Sequence, residues 1–237
     1  MLRNYKNPIF PFNPFILVGY STVDSQGEQI PNKNMHKSIS ILIVSLTLLQ
    51  FSAHGQIILY DILLAGRDVG ELKISPAQAG GGSESLRVEG GINTVFYDVV
   101  YVGENYFEKG ILKTSMSSQE VNGKLKEKTK TIKNQNSYQV IYADARSVPK
   151  DNPPLIHPIN HTVTSLYYRE PLEMTQIYSE RFGQMCVVKK VSPGTYEVVM
   201  PDGKKTLFSY LNGQCHEVRS EIVGISLVFR IRPDSLR

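Results

Sequence analysis

Three groups of side chains in this 237-residue sequence have types and spacings that could support chemistry: two cysteines, a trio drawn from its five histidines, and an alternating run of lysines. Cys186 and Cys215 are the only cysteines, and a bridge between them would close a loop of about 30 residues, worth about 3 to 4 kcal/mol on the chain-entropy account. Strand spacing argues against it. If 184–191, 195–200, 204–211 and 215–221 form a simple meander, the two thiols start the first and fourth strands, about 14 Å apart laterally. A disulfide needs Cα atoms within about 7 Å, so the reading favours two buried thiols. His157 and His161 are four apart, as two metal ligands on one helix face would be, with His216 as a third. Pro158 between them breaks such a helix and no neighbouring carboxylate completes a motif, so no metal site is expected. Ser165 and Ser226 lack a nucleophile-elbow context, no paired-carboxylate motif stands out, and Gly80-Gly81-Gly82-Ser83 is not followed by a helix that would cradle phosphate. The expectation is a chain with no catalytic residue and no cofactor.

Lys124, Lys126, Lys128 and Lys130 alternate with Leu125, Glu127, Thr129 and Thr131. In a strand, where side chains alternate faces, all four ammonium groups project from one side. Such a ladder either discourages edge-to-edge aggregation or contacts an anionic head group, glycan or partner. The chain holds 13 tyrosines and no tryptophan. Tyr97, Tyr101, Tyr138, Tyr142, Tyr167, Tyr168, Phe208 and Tyr210 are the candidates for lining an apolar trough, the alternative being plain core packing.

The elements that must position these residues are strands. Ala65-Gly66, Asn122-Gly123, Pro193-Gly194, Asp202-Gly203 and Asn212-Gly213 punctuate segments rich in β-branched and aromatic residues, the pattern of successive hairpins. Tyr196, Val198 and Met200 alternate with Thr195 and Glu197, and Ile225, Leu227, Phe229 and Ile231 with Ser226 and Arg230, giving strands with one apolar face. Val95 to Val102 is apolar on both faces apart from Asp98 and reads as a central strand. Asn160 reads as the cap of a short helix near 161–169, with Val163, Leu166 and Tyr167 on one face and Pro171 ending it, preceded by a proline-rich crossing loop from Pro149 to Pro158. The fold class is therefore mainly β: an antiparallel meander of about nine to twelve strands curled into a half-barrel or twisted sandwich, with the helix on its open side.

Ahead of this domain, Met35 opens a short polar start with Lys37, the apolar run Ile39 to Phe51, and Ser52-Ala53-His54-Gly55. These are the three regions of a secretory signal peptide, with cleavage expected after Gly55. The run is about 13 residues against the ~20 a bilayer span needs, so no transmembrane anchor is expected in the mature chain. No cysteine follows for lipid attachment. Residues 1–34, with Pro8, Pro11, Pro14 and Pro31, read as a disordered or over-extended leader, and 56–237 as a single exported domain. The formal charge of +4 is too small and too dispersed to suggest nucleic-acid binding.

Tyr60-Asp61-Ile62-Leu63-Leu64 with Gly66 and Gly70, Val121 to Glu127, and Val163 to Tyr168 with Glu170-Pro171 resemble an uncharacterised family of exported bacterial proteins. Tyr178 to Gly183, Pro201-Asp202-Gly203 and Tyr210 to Gly213 extend the resemblance, which spans about 57–231. It implies a β-rich periplasmic domain of unknown function, an incomplete barrel around a helix, and transfers no catalytic residue. Two main functions fit these expectations, a periplasmic binding module for an apolar or amphiphilic ligand such as a lipid, or a structural component pairing with an envelope protein, with an enzyme acting on envelope material as a third.

Overall fold

The computed structural model describes residues 55–79, 81–143, 153–222 and 225–235. The leader over 1–34 and all of the signal segment 35–55 but Gly55 lie outside the described residues. Thirteen strands follow one another: β1 Ile58–Leu64, β2 Arg67–Ala79, β3 Ser83–Asn93, β4 Asp98–Glu108, β5 Ile111–Val121, β6 Lys124–Lys133, β7 Tyr138–Tyr142, β8 Gln176–Ser179, β9 Gln184–Ser192, β10 Thr195–Val199, β11 Lys205–Leu211, β12 Gln214–Ile222 and β13 Ile225–Ile231. They form one sheet in the order β7-β6-β5-β4-β3-β2-β1-β13-β12-β11-β10-β9-β8, antiparallel throughout. Only the β1–β13 pairing, Tyr60 opposite Ile231 to Leu64 opposite Leu227, joins strands distant in sequence. The unclosed antiparallel sheet matches the expected meander, with more strands than anticipated because Lys109-Gly110 makes an additional tight turn and β8 is only four residues long.

The turns explain the register. Ala65-Gly66, Lys109-Gly110, Asn122-Gly123 and Asn212-Gly213 all have both central residues at positive φ, from 48° to 79°. That is the backbone of two-residue hairpin loops whose twist matches the flanking strands. Alternation then places Ile58, Tyr60, Ile62, Leu72, Ile74, Val88, Val198, Phe208 and Val218 on the inner face, nearly or wholly out of water. Each such side chain contributes about 1.5–3 kcal/mol of burial. Val95 to Val102, expected as a central strand, divides instead. Val95, Phe96 and Tyr97 form the exposed β3–β4 loop, because Thr94 closes a turn on Tyr97 through its amide and its hydroxyl, and β4 begins only at Asp98.

A sheet of thirteen antiparallel strands has edges that point the same way. Since each neighbour reverses direction, β7 and β8 run parallel, and no short hairpin can join them. Of the chain between β7 and β8, the described part from 153 to 175 meets both edges and the lower end of β5 before its 3-10 turn enters the interior. Tyr138 N donates to Leu155 O (2.9 Å), Leu112 N to Ile159 O (2.8 Å), and Tyr178 N to His161 O (3.2 Å), with Thr162 bridging Tyr178 in parallel. Side chains fasten the rest. Thr131 and Tyr178 share a hydroxyl hydrogen bond (2.5 Å), Thr129 Oγ1 donates to Arg181 O (2.8 Å), and Tyr142 Oη donates to Phe182 O (2.9 Å).

The expected helix is a five-residue 3-10 turn, Val163–Tyr167. Its N-cap is Thr162 and not Asn160: Ser165 Oγ accepts from Thr162 N (3.1 Å) and donates to Thr162 O (2.6 Å), whereas Asn160 Nδ2 donates to Gly110 O (3.0 Å). Inward-facing tyrosines hold the turn inside the curled sheet. Tyr210 Oη donates to Leu166 O (2.6 Å), and Tyr60 Oη to Cys215 O (2.8 Å) and Tyr167 O (3.2 Å).

Gly183 sits at the tightest point of the gap, with φ of 65° and room for no side chain: a Cβ there would stand 2.5 Å from Val140 Cγ1 and 2.6 Å from Tyr142 Oη. Gly183→Ala is expected to cost about 2–4 kcal/mol, from left-handed strain plus crowding. Gly66→Ala, at φ of 79° with nothing within 4 Å, should cost only about 1–2 kcal/mol. Urea unfolding midpoints of the two variants compare them directly.

Candidate functional site

A cavity of about 190 Å³ lies between the 3-10 turn and the inner face of the sheet. Its apolar walls come from opposite sides of the curl: Ile62, Leu72, Val88 and Ile92 from β1 to β3, Phe208 and Phe229 from β11 and β13, with Tyr167 as floor. The Tyr167 ring meets Tyr60, Phe208 and Phe229 edge-on at 5.4, 5.5 and 6.4 Å, which fixes that floor. The exposed side chains of Asp202 and Glu221 line the mouth. By strand direction the mouth opens at the end carrying the 65–66, 94–97, 122–123 and 180–183 connections, called the upper end below.

One wall is polar, and its centre is Glu180. This carboxyl is 2% exposed. Its Oε1 accepts from Asn105 Nδ2 (2.8 Å) and Thr164 N (3.2 Å), leaving Oε2 as the oxygen not used by these bonds. Asn105 Nδ2 also reaches Thr162 Oγ1 (3.3 Å). Beside it Arg181 forms a two-pronged pair with Glu127, Nε to Oε2 at 2.5 Å and Nη2 to Oε1 at 2.8 Å, so its charge is answered from β6 across the gap. Among the described residues no cation lies within ion-pair distance of Glu180. The arrangement presents a buried carboxyl to a mostly apolar space, able to accept a hydrogen bond from, or pair with, a donor on a bound molecule.

The proposed trough residues fall into separate places. Tyr101, Tyr167 and Phe208 line the cavity. Tyr138 and Tyr142 lie in the gap, Tyr138 accepting from Ile159 N (3.0 Å), and Tyr210 supports the turn. Tyr168 borders a second cavity of about 320 Å³ at the lower end, walled largely by the Leu211–Gln214 turn with Ile58 and His216. Tyr97 is on the exposed β3–β4 loop, away from any wall. Lys126, Lys128 and Lys130 are exposed on the outer face, with Thr129 and Thr131 buried on the other, but the expected four-lysine ladder is broken: a bulge between Leu125 and Glu127 shifts the register by one, so Lys124, directly opposite Val121, lies on the inner-face side at the exposed end of β6. The sheet separates Lys126, Lys128 and Lys130 from the cavity, so those three are not available to a molecule held within it.

Both cysteines are free and buried on β9 and β12, with β10 and β11 between them. Burial pushes both thiols up to about 12, so neither is a nucleophile at neutral pH. His157 is exposed on its loop, His161 is half-buried and held below its usual value by desolvation and then by Arg169, and His216 borders the lower cavity. Among the described residues no three His, Cys, Asp or Glu side chains converge to hold a metal ion, and no helix is long and apolar enough to cross a membrane.

Glu180, Arg181, Asn105 and Thr164 were not singled out from sequence. The available signal was Ser179-Glu180-Arg181-Phe182-Gly183: two charges inside a short strand-turn flanked by Tyr178 and Phe182, where a glycine forces close approach.

With fold and cavity described, the class is a β-barrel-like domain with an incomplete sheet. The chain belongs to the domain of unknown function family DUF6134, whose family model matches residues 60–232. Among solved structures it is similar to the beta-barrel-like protein of domain of unknown function DUF1849 from Brucella abortus, at 10% identity and a TM-score of 0.45, over 74% of this chain and 95% of that one. No curated protein matches it.

The interior tyrosines predict alkaline sensitivity. Desolvation raises Tyr60, Tyr167, Tyr178 and Tyr210 well above the usual phenol range, and pushes Tyr101 up to about 12, with the Glu180 carboxylate adding to it. Because the folded values exceed the unfolded 10.0, their stabilising effect is fully present below about pH 10 and is lost as pH rises through the folded values. Urea unfolding should therefore show constant stability on this account up to about pH 10 and a steep fall above it. Tyrosinate absorbance of the interior set should appear together with unfolding.

Proposed function

We propose that this is an exported binding protein for a slender, single-chain amphiphile whose polar end carries a hydrogen-bond donor or a positive charge. The observation that carries the reading is a buried carboxyl, Glu180, on the wall of a cavity whose apolar lining includes Ile62, Leu72, Val88, Ile92, Phe208 and Phe229. A small number of placed polar groups on an apolar lining is how small-molecule sites combine affinity with orientation. The volume falls below the ~300–1,000 Å³ of sites for drug-sized ligands, which favours one short chain over a two-tailed lipid. The alternative, a component that pairs with an envelope protein through a sheet edge, is less favoured, since Leu155 already occupies Tyr138 N on β7 and His161 occupies Tyr178 N on β8.

A medium-chain alkylamine, the matched alcohol and the matched sulfate, titrated by calorimetry, test this. The amine should bind best. Glu180→Gln should weaken it by about 10- to 100-fold, the worth of a charge-assisted hydrogen bond, with little effect on the alcohol. Ile92→Trp, which fills the cavity from a half-buried position, should abolish binding of all three. Equal binding of amine and sulfate, or amine binding that survives Ile92→Trp, would reject the reading.

Export rests on the segment 35–55, and cleavage after Gly55 would leave β1, which starts at Ile58, intact. The intact mass of protein recovered from outside the cytoplasm should correspond to a chain beginning at Gln56. A product retaining residues before Met35 would contradict this.

A further inference from the structure

Two buried side-chain atoms, Asn105 Oδ1 and Ser115 Oγ, have no hydrogen-bond partner among the described residues. They are neighbours. Asn105 on β4 stands directly opposite Ser115 on β5, which stands opposite Thr131 on β6, and all three point inward with at most 2% of their surface exposed. Side chains paired in this way have Cβ atoms about 4.5–5.5 Å apart. The two unpartnered atoms nevertheless do not meet, because the Asn105 amide is turned toward the other side of the interior: its Nδ2 donates to Glu180 Oε1 (2.8 Å) and reaches Thr162 Oγ1 (3.3 Å). Oδ1 is then an acceptor with no donor, and Ser115 a hydroxyl with neither.

The surroundings offer little else to satisfy them. Leu86 opposite Asn105 and Val140 opposite Thr131 end the row with apolar side chains, and Phe107 and Leu112, themselves paired, lie on its lower side. On its upper side Ser117 Oγ turns to the Tyr101 hydroxyl (3.5 Å). Thr131 Oγ1 shares one bond with Tyr178 Oη (2.5 Å), and a hydroxyl has capacity for more than one. Ser115 has the smallest side chain of the row, so the row has its room beside it. Enclosed space with apolar walls stays dry, whereas a buried water makes about three hydrogen bonds to groups otherwise unsatisfied. Asn105, Ser115 and Thr131 offer that set.

We propose that one ordered water binds between β4 and β5, accepting from Ser115 Oγ and donating to Asn105 Oδ1 and Thr131 Oγ1. The bridge has a consequence for the cavity wall. With its oxygen held by the water and its Nδ2 by Glu180 and Thr162, the Asn105 amide is fixed at every polar position, and Glu180 Oε1 is fixed with it, which leaves Oε2 as the oxygen for a bound molecule. The water site itself rests on the protein's own hydrogen bonding and stands whether or not the cavity takes an amphiphile.

A ligand-free crystal structure of the protein, at a resolution that shows ordered water, tests this: one oxygen is expected about 2.5–3.0 Å from both Asn105 Oδ1 and Ser115 Oγ. Magnetic relaxation dispersion should count one fewer long-lived water in Ser115→Val, whose methyl groups take the water's place, than in the unsubstituted protein. Urea unfolding of Ser115→Ala supplies a sign. Removing a hydroxyl that holds a bridging water should lower the folding equilibrium constant about fivefold, the worth of one net hydrogen bond, whereas removing a hydroxyl left bare in the interior should raise it. A direct Asn105–Ser115 hydrogen bond, no density between the two side chains, an unchanged water count in Ser115→Val, or a more stable Ser115→Ala would each overturn the proposal.

Discussion

Parity governs this molecule. Thirteen antiparallel strands leave two edges that run in the same direction, so the ladder that joins every other pair cannot be repeated between β7 and β8 without a long return of the chain. The described part of that connection, 153–175, lies partly in the gap. Leu155 and Ile159 fill its lower part, Thr162 lies beside Tyr178, and the 3-10 turn enters the interior from there. Where a closed barrel would have a continuous wall, this domain has hydroxyls and an Arg181–Glu127 pair reaching from side to side.

The interior divides accordingly. Strands β1, β2 and β9 to β13 present mostly aliphatic and aromatic side chains to one another, whereas β4 to β6 present Asn105, Ser115, Ser117, Thr129 and Thr131. Thr129 bonds the Arg181 carbonyl, Thr131 the Tyr178 hydroxyl, Ser117 the Tyr101 hydroxyl, and Asn105 Nδ2 the Glu180 and Thr162 side chains, while Ser115 Oγ and Asn105 Oδ1 have no partner among the described residues. Most of the partners they do have come from residues 162–181, so the polar wall follows the side of the sheet that this segment meets. Glu180 belongs to that wall and borders the space that the turn does not fill. The cavity and its single buried carboxyl thus derive from the same incomplete closure.

Much of this was legible in the sequence. Hairpin turns announced themselves through Asn-Gly and Ala-Gly pairs that need positive φ, and alternation located the inner faces of β10 to β13, because both are local properties of the chain. Alternation also located Lys126, Lys128 and Lys130 on one face, but not the bulge that moves Lys124 to the other, because a one-residue register shift leaves no local signal. Lys109-Gly110 was passed over because lysine carries no turn signal of its own. Val95 to Tyr97 looked like the start of a buried strand because hydrophobicity does not reveal a side chain held outward by Thr94 and Asn122. The cavity tyrosines could not be sorted either. Tyr101, Tyr138 and Tyr210 are alike in pattern, and only the path of residues 153–175, a non-local matter, decides which meets the cavity, the gap or the turn. Glu180 was obscured because its partners Asn105 and Thr164 lie 75 and 16 residues away.

The β1–β13 ladder has a further consequence for how the chain folds. Every other neighbouring pair in the sheet is joined by a short connection, so β1 to β7 and β8 to β13 are each a meander of low contact order, able to grow hairpin by hairpin. The two arms meet only when Tyr60 finds Ile231, a separation of most of the domain, and loop closure over that span carries a larger entropic cost than any hairpin. The late, rate-setting event is then the docking of two preformed arms along their first and last strands. Until it occurs, the inner edges of both arms remain open templates for pairing with another chain.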